Sequence, residues 1–440
     1  MYTNSPLKSK CRNKKIEVLH MNIINEAIQL IENGLTEEGL SKLQSVLNNA
    51  NDEEKYEIAL VFQSLGLVEE AKNIIEDLYY LYDEDEELKI ILSELLIDLD
   101  DEDQALNLLL SIKPESDFRV QALLLMADIY QVQGLDEVAE SKLLEAKRML
   151  PEEPVIDFAL GEYYFSKYEY SKAIPYYVEL TSKDIDLKGV NKKLRLAECL
   201  SAEGEWDEAI PYYENGIEDS KDFHTLLGYG ITLFQAERYN SAIPILEEAI
   251  FFDEEYIVAY LWLSKAFEMD GQISESYETL QKAIKVDETN VDCQLAAAKI
   301  TRKLKYLEEC KKHLGEALTY DPSLIEGVQL LVGIHFEEEE FEAVIDTILL
   351  SMKHGAFDPQ FNWDLAKAYN QIEKYDEALN YYRTAYNDFN QEMTFLKEYG
   401  DFLYEEGLHK EAKEIYQKLT TDDLLMEDVI ERLDRLNDLE

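Results

Sequence analysis

Basic residues are scarce in this chain. Lysine and arginine number 42 against 93 aspartates and glutamates, a formal net charge of -51 over 440 residues. Nucleic acid is disfavoured as a partner, because phosphate contacts need a basic face and draw their energy from the counterions it releases. An anionic membrane surface is disfavoured for the same reason. With 9 prolines and 17 glycines the chain has too few turn-formers for an all-β protein, but enough for long helices joined by short loops. It contains no apolar run near the ~18 residues a membrane span needs, and its N-terminus lacks a signal-peptide core, so a cytoplasmic location is expected. Cys11, Cys199, Cys293 and Cys310 include no CxxC pair and predict no disulfide framework; the last three read as buried small hydrophobes.

What the chain has in abundance is a phrase. "YSKAIPYYVEL" from Tyr170 returns as "WDEAIPYYENGI" from Trp206, "YNSAIPILEEAI" from Tyr239 and "YDEALNYYRTAY" from Tyr375. Aligned on their alanine, these phrases mark Gly39, Ala71, Ala105, Ala139, Ala173, Ala209, Ala242, Ser276, Cys310, Val344, Ala378 and Ala412, in steps of 32 to 36 residues, most of them 34. Twelve residues before each mark lies a second small residue, from Ala27 to Gly400, with Val332 the exception; four after it lies a large one, from Leu43 to Tyr416. Two amphipathic helices per period, close at the small positions and filled at the large ones, describe a repeat array of twelve units. The turns between them are often glycine-initiated, as at Gly134, Gly204 and Gly271. Pro175, Pro211 and Pro244 are expected in or just after the first turn of the second helix, at little or no cost in helical bonding.

A 34-residue unit with small residues at its eighth and twentieth positions and an aromatic before the second resembles the tetratricopeptide repeat. "WDLAKAYNQIEKYDEALNYYRTAY" carries most of that pattern in Leu365, Ala366, Tyr369, Tyr375, Ala378, Tyr382 and Ala385, and Pro151 and Pro322 take its closing proline position. The long acidic array is similar to the YpiA-type proteins of Gram-positive bacteria. This resemblance implies an all-α, right-handed α-α superhelical solenoid over residues 21–421, and a binding role without catalysis. Residues 422–440 are expected to form a capping helix, with Leu425, Val429, Leu433 and Leu436 as an apolar stripe backed by Glu427, Asp428, Glu431 and Asp434. Residues 1–20 carry Lys8, Lys10, Arg12, Lys14 and Lys15 against Glu17, and read as a basic, disordered leader, with Met1 and Met21 both open as the start.

Signatures of chemistry are missing. Phosphate-binding glycine loops and HExxH are absent, so no cofactor, metal or catalytic residue is assigned. His335 with Glu339 one turn on is a conceivable metal pair, but His335 takes the position of Tyr130, Tyr164 and Tyr369, and a packed core histidine is favoured. "DLDDEDQAL" from Asp98 lacks the glycine and glutamate of a calcium loop and reads as a turn.

The resemblance also implies that first helices line a concave groove, with the ninth position pointing inward. That position reads Glu94, Asp128, Glu162, Glu198, Ile231, Lys265, Lys299, Gly333, Lys367 and Asp401. An acidic stretch is thus followed by a basic one, to which Arg302, Lys303, Lys397 and Asn370 add, with Phe336, Trp363 and Tyr404 as candidate aromatic anchors. The mixture is similar to family members that clamp an acidic peptide; the alternative for Trp363 is packing at a repeat junction. At the first repeat Met21, Ile24, Ile28, Ile31, Tyr56 and Leu60 form an apolar mouth, to be covered by residues 16 to 20, a second copy of the chain, or a partner helix. The expected function is a scaffold holding a protein or peptide segment; a peptide-sensing regulator that changes shape on binding is the alternative.

Overall fold

The computed structural model describes residues 14–183, 189–419 and 427–438, without the side chains of residues 14–22, 427, 428 and 438. The leader's charged side chains from Lys8 to Glu17, Cys11, Met21, Leu425, Glu427 and Asp428 therefore lie outside the described residues. Twenty-five helices and no strand are present among the described residues.

Two compact units divide the chain, Met1–Asp219 and Ser220–Glu440. The first holds six helix pairs: α1 (Lys14–Glu32) with α2 (Thr36–Leu47), α3 (Asp52–Ser64) with α4 (Val68–Leu81), α5 (Glu86–Asp98) with α6 (Glu102–Leu110), α7 (Arg119–Val132) with α8 (Asp136–Met149), α9 (Pro154–Ser166) with α10 (Tyr170–Ser182), and α11 (Lys192–Ala202) with α12 (Trp206–Ile217). The second holds α13 (Phe223–Gln235) with α14 (Tyr239–Phe252), α15 (Ile257–Met269) with α16 (Ile273–Val286), α17 (Val291–Lys303) with α18 (Leu307–Tyr320), α19 (Ile325–Glu337) with α20 (Phe341–Lys353), α21 (Pro359–Gln371) with α22 (Tyr375–Phe389), α23 (Met393–Glu405) with α24 (His409–Leu419), and then α25 (Glu427–Asp438). Within each unit every helix packs on the next.

The small and large positions of the period make these contacts. Every described large position, from Leu43 to Tyr416, is at most 2% exposed. At two of the four tyrosines the opposing small residue is glycine: a Cβ on Gly161 would stand 3.0 Å from the Tyr177 ring, and one on Gly400 would stand 2.7 Å from Tyr416. Val332, the exception to the small rule, is 2% exposed and belongs to one core cluster with Val344 and Ile348. Each fully buried leucine or isoleucine contributes about 1.5–3 kcal/mol, so stability is spread along the array.

All twelve turns inside the helix pairs share one device. The residue two before the second helix is left-handed in each, at Gly34, Gly66, Asp100, Gly134, Tyr168, Gly204, Glu237, Gly271, Lys305, Glu339, Glu373 and Gly407. The next amide then reaches back five residues, as from Leu135 to the Tyr130 carbonyl at 2.8 Å, which closes the first helix with a Schellman-type cap. Half of these positions are not glycine.

Pro175, Pro211 and Pro244 are each the sixth residue of their helix, just after its first turn. The helices still run through them, and each proline forgoes one backbone bond, which Ser171, Asp207 and Asn240 would otherwise accept. At the far end α25 seats Val429 and Leu436 at 2% and 3% exposure, and Arg432 donates to Asp401 at 2.8 Å and to the Tyr416 hydroxyl at 3.3 Å.

Candidate functional site

In the second unit the first helices of three successive repeats, α15, α17 and α19, line a cavity of about 880 Å³. Four of the residues singled out from sequence, Lys265, Lys299, Arg302 and Lys303, converge on it. Leu261, Leu295, Ala296, Ile300 and Leu330 supply its apolar surface, and Glu268, Asp292 and Glu326 its negative charge. Four cations against three lining carboxylates, with Glu337 beside Arg302 as a fourth, make the cavity nearly neutral in a chain of -51.

Most of these cations already hold a partner. Lys299 pairs with Glu326 at 2.6 Å, Arg302 with Glu337 at 2.6 Å, and Lys303 with Glu268. Lys265 differs: its ammonium lies 4.8 Å from the centre of the Trp262 ring, and no carboxylate lies within ion-pair distance among the described residues.

A second cluster stands on α19 and α21. Lys367 is 4.8 Å from the Phe336 ring and 5.3 Å from Trp363, and pairs with Asp364 at 2.7 Å. Trp363 is half-buried, 5.2 Å from both Phe389 and Phe395, and its indole N–H donates to Glu398 at 3.1 Å. It ties repeat eleven to repeat twelve. Tyr404 lies under the Arg432 guanidinium of α25 at 5.4 Å. Asn370 is half-buried on α21, and Lys397 pairs with Asp401 at 3.1 Å. Trp363 and Tyr404 pack between helices, and neither lines the cavity.

The acidic residues of the first unit are mostly tied to each other through neighbours. Arg195 bridges Glu162 and Glu198, at 3.1 Å to each, and stacks 4.5 Å from Phe165; Glu162 also accepts the Tyr177 hydroxyl at 2.5 Å. Glu94 accepts from Gln121 at 3.0 Å and from Gln63 at 3.4 Å. Asp128 has no such donor, and the protein around it pushes its carboxyl up to about 6. Its side chain is nevertheless exposed, and that contact with water opposes part of the rise.

Ile24, expected at an apolar mouth, is buried at 1% exposure inside the first repeat, and Ile31 packs where Gly39 leaves room. Ile28, Ile31, Tyr56 and Leu60 are half-exposed, and the Tyr56 hydroxyl donates to Glu87 at 2.8 Å. His335 is packed at 13% side-chain exposure and bonds Glu340, not Glu339, at 2.7 Å. No cluster of three metal-ligating side chains exists among the described residues. Burial raises the Cys199 and Cys293 thiols to about 12 and raises Cys310 as well, so none is a reactive thiolate at neutral pH.

Family models describe residues 131–185 as YpiA-like tetratricopeptide repeats and residues 359–421 as YpiA-like C-terminal tetratricopeptide repeats. The TPR repeat-containing protein YpiA of Bacillus subtilis (strain 168) is 41% identical over 416 residues, which cover 94% of this chain and 98% of that one. The chain belongs to the YpiA-like tetratricopeptide repeat family. Two solved structures show weaker likeness: YrrB, a TPR protein with an unusual peptide-binding site, at 15% identity, TM-score 0.37, covering 42% of this chain and 96% of that one; and the APC/C hetero-tetramer Cut9-Hcn1, at 12% identity, TM-score 0.35, covering 96% and 97%. This YpiA-like protein is thus an all-α tetratricopeptide solenoid, a class that generally serves protein–protein interaction. No helix among its described residues is long and apolar enough to cross a membrane.

Sequence reasoning missed the carboxylates that hold the cavity's cations. A signal for them existed. In a YpiA-like array like positions of successive first helices are neighbours, so Glu268 at position twelve of repeat eight meets Lys303, and Glu337 at position thirteen of repeat ten meets Arg302, both of repeat nine.

Proposed function

We propose that this YpiA-like protein is a non-catalytic scaffold that binds an acidic protein segment in the concave face of its second unit. The observation that carries this reading is the convergence of Lys265, Lys299, Arg302 and Lys303 on one cavity of about 880 Å³ with apolar walls, in a chain otherwise dominated by acids. A recessed surface with apolar lining and a few placed charges is the general form of a ligand site. Because three of the four cations are already paired, an incoming carboxylate exchanges one partner for another. Charge therefore steers and sets register, at ~0.2–1 kcal/mol per exposed pair, while apolar contact holds the segment. The acidic residues of the first unit are not needed for this reading.

The test is capture from bacterial lysate with wild type and with the K265E/K299E/R302E/K303E variant in parallel, followed by binding kinetics with the protein recovered. A partner held by wild type, lost by the variant, and associating more slowly as salt rises is expected. One retained equally by both proteins would place binding elsewhere.

A further inference from the structure

Gly333 stands in the middle of α19, at the ninth position where α15, α17 and α21 carry Lys265, Lys299 and Lys367. A glycine inside a helix weakens it relative to alanine, because glycine loses more backbone freedom on folding. Most other helical glycines among the described residues have a packing reason, since a Cβ would come within 2.6 Å of Leu246 at Gly230 and within 2.7 Å of Tyr416 at Gly400; Gly315, exposed on the second helix α18, shares the open surroundings but lies away from the first helices that line the cavity. At Gly333 a Cβ would meet nothing within 4 Å. Arg302 crosses α19 to reach the Leu330 carbonyl at 3.5 Å and Glu337 at 2.6 Å, yet it does not fill this space. The backbone there is not left-handed. Neither packing nor local geometry requires the glycine, and along α19 it falls between Leu330, which lines the basic cavity, and Phe336, which meets Lys367.

Resting on the groove reading above, we propose that Gly333 is a specificity-determining gap. The main chain of an extended acidic segment lies against α19 there, with carboxylates toward Lys265 and Lys299 and one apolar side chain toward Phe336. The occupant is extended because a strand turns alternate side chains aside and can bring its main chain flat against an opening the size of one methyl group. Charge complementarity supports an acidic occupant, since Lys265 has no carboxylate of its own.

The probe is a panel of fluorescein-labelled octapeptides, blocked at both ends, made of aspartate and glutamate with a single leucine or phenylalanine at each successive position. Fluorescence anisotropy is read for wild type, G333A, G333L, K265E/K299E and G315A; Gly315 is a control, exposed on a second helix and equally open. The expected result is a preferred register in wild type, binding weakened at least about tenfold in G333L and less in G333A, and unchanged in G315A. Both alanine variants should melt no lower than wild type, which separates blocked binding from misfolding. Peptide binding lost in K265E/K299E but intact in G333L overturns the gap and leaves the groove reading standing. No binding by any peptide, or binding indifferent to both G333L and K265E/K299E, overturns both.

Discussion

Four exposed turn residues of the second unit, Glu237, Lys305, Glu339 and Glu373, sit at φ between 58° and 63°. A side chain with a Cβ costs roughly 1 kcal/mol in that conformation, and glycine does not, although glycine gives back part of the gain through its freer unfolded state. A net ~0.5–1 kcal/mol per position gives ~2–4 kcal/mol for the quadruple glycine variant. A unit of about this size shifts its melting temperature by ~2–4 °C per kcal/mol, so a rise of roughly 4–16 °C is expected by circular dichroism. The converse substitution, Gly134→Ala at φ 72°, meets no clash and should cost about 1 kcal/mol through strain alone. The variant's net charge falls from -51 to -49, since three acids and one lysine are lost, so repulsion does not oppose the gain. A melting temperature that stays put or drops would refute the claim that these turns are strained.

Two further predictions concern buried polar groups. Asp157 is 1% exposed, bonds Lys147 through one oxygen, and has no protein partner for the other, so Lys147→Ala should cost ~2–4 kcal/mol in urea unfolding, with the D157L/K147M double variant recovering most of it; equal losses in both would deny the pairing. His313, held between the Tyr277 hydroxyl at 3.1 Å and Gln294 at 2.7 Å, is lowered below its ordinary 6.5 by burial first and then by Lys312, while Glu309 and Glu316 act the other way. Its folded state stays neutral when the unfolded chain takes up a proton, so the stability it contributes is present above about pH 6.5 and is lost as pH falls below that. His313→Gln should flatten that part of the stability–pH curve, and an unchanged slope would remove His313 from the account.

The fold was legible because the period acts on side-chain volume. A small residue facing a large one every 34 residues can be met only by helix pairs stacked in one register, and Gly161 opposite Tyr177 or Gly400 opposite Tyr416 shows the volumes trading in space as they do in sequence. The turns were half legible. Glycine announces a left-handed residue at Gly134, Gly204 and Gly271, but Glu237 or Lys305 adopts the same conformation because the two helices it joins dictate the path, and no local propensity signals that. The prolines were legible too: the helices start with the phrase, at Tyr170, Trp206 and Tyr239, so each proline falls sixth, just after the first turn, at the cost of one backbone bond.

The candidate site was legible in its cations and not in its balance. Lys265, Lys299, Arg302 and Lys303 follow from reading inward positions along the chain. Whether such a row is a bare basic stripe or a nearly neutral cavity depends on residues 27 to 35 positions away, such as Glu326 for Lys299 and Glu268 for Lys303. That difference changes the expected chemistry. A bare stripe would attract any polyanion through long-range field, whereas paired cations in apolar walls release their partners only to a carboxylate placed in register. On the proposed reading, selectivity would rest on geometry more than on net charge. Gly333, which that reading makes one of the residues setting the geometry, carries no charge, so no scan for charged motifs would find it.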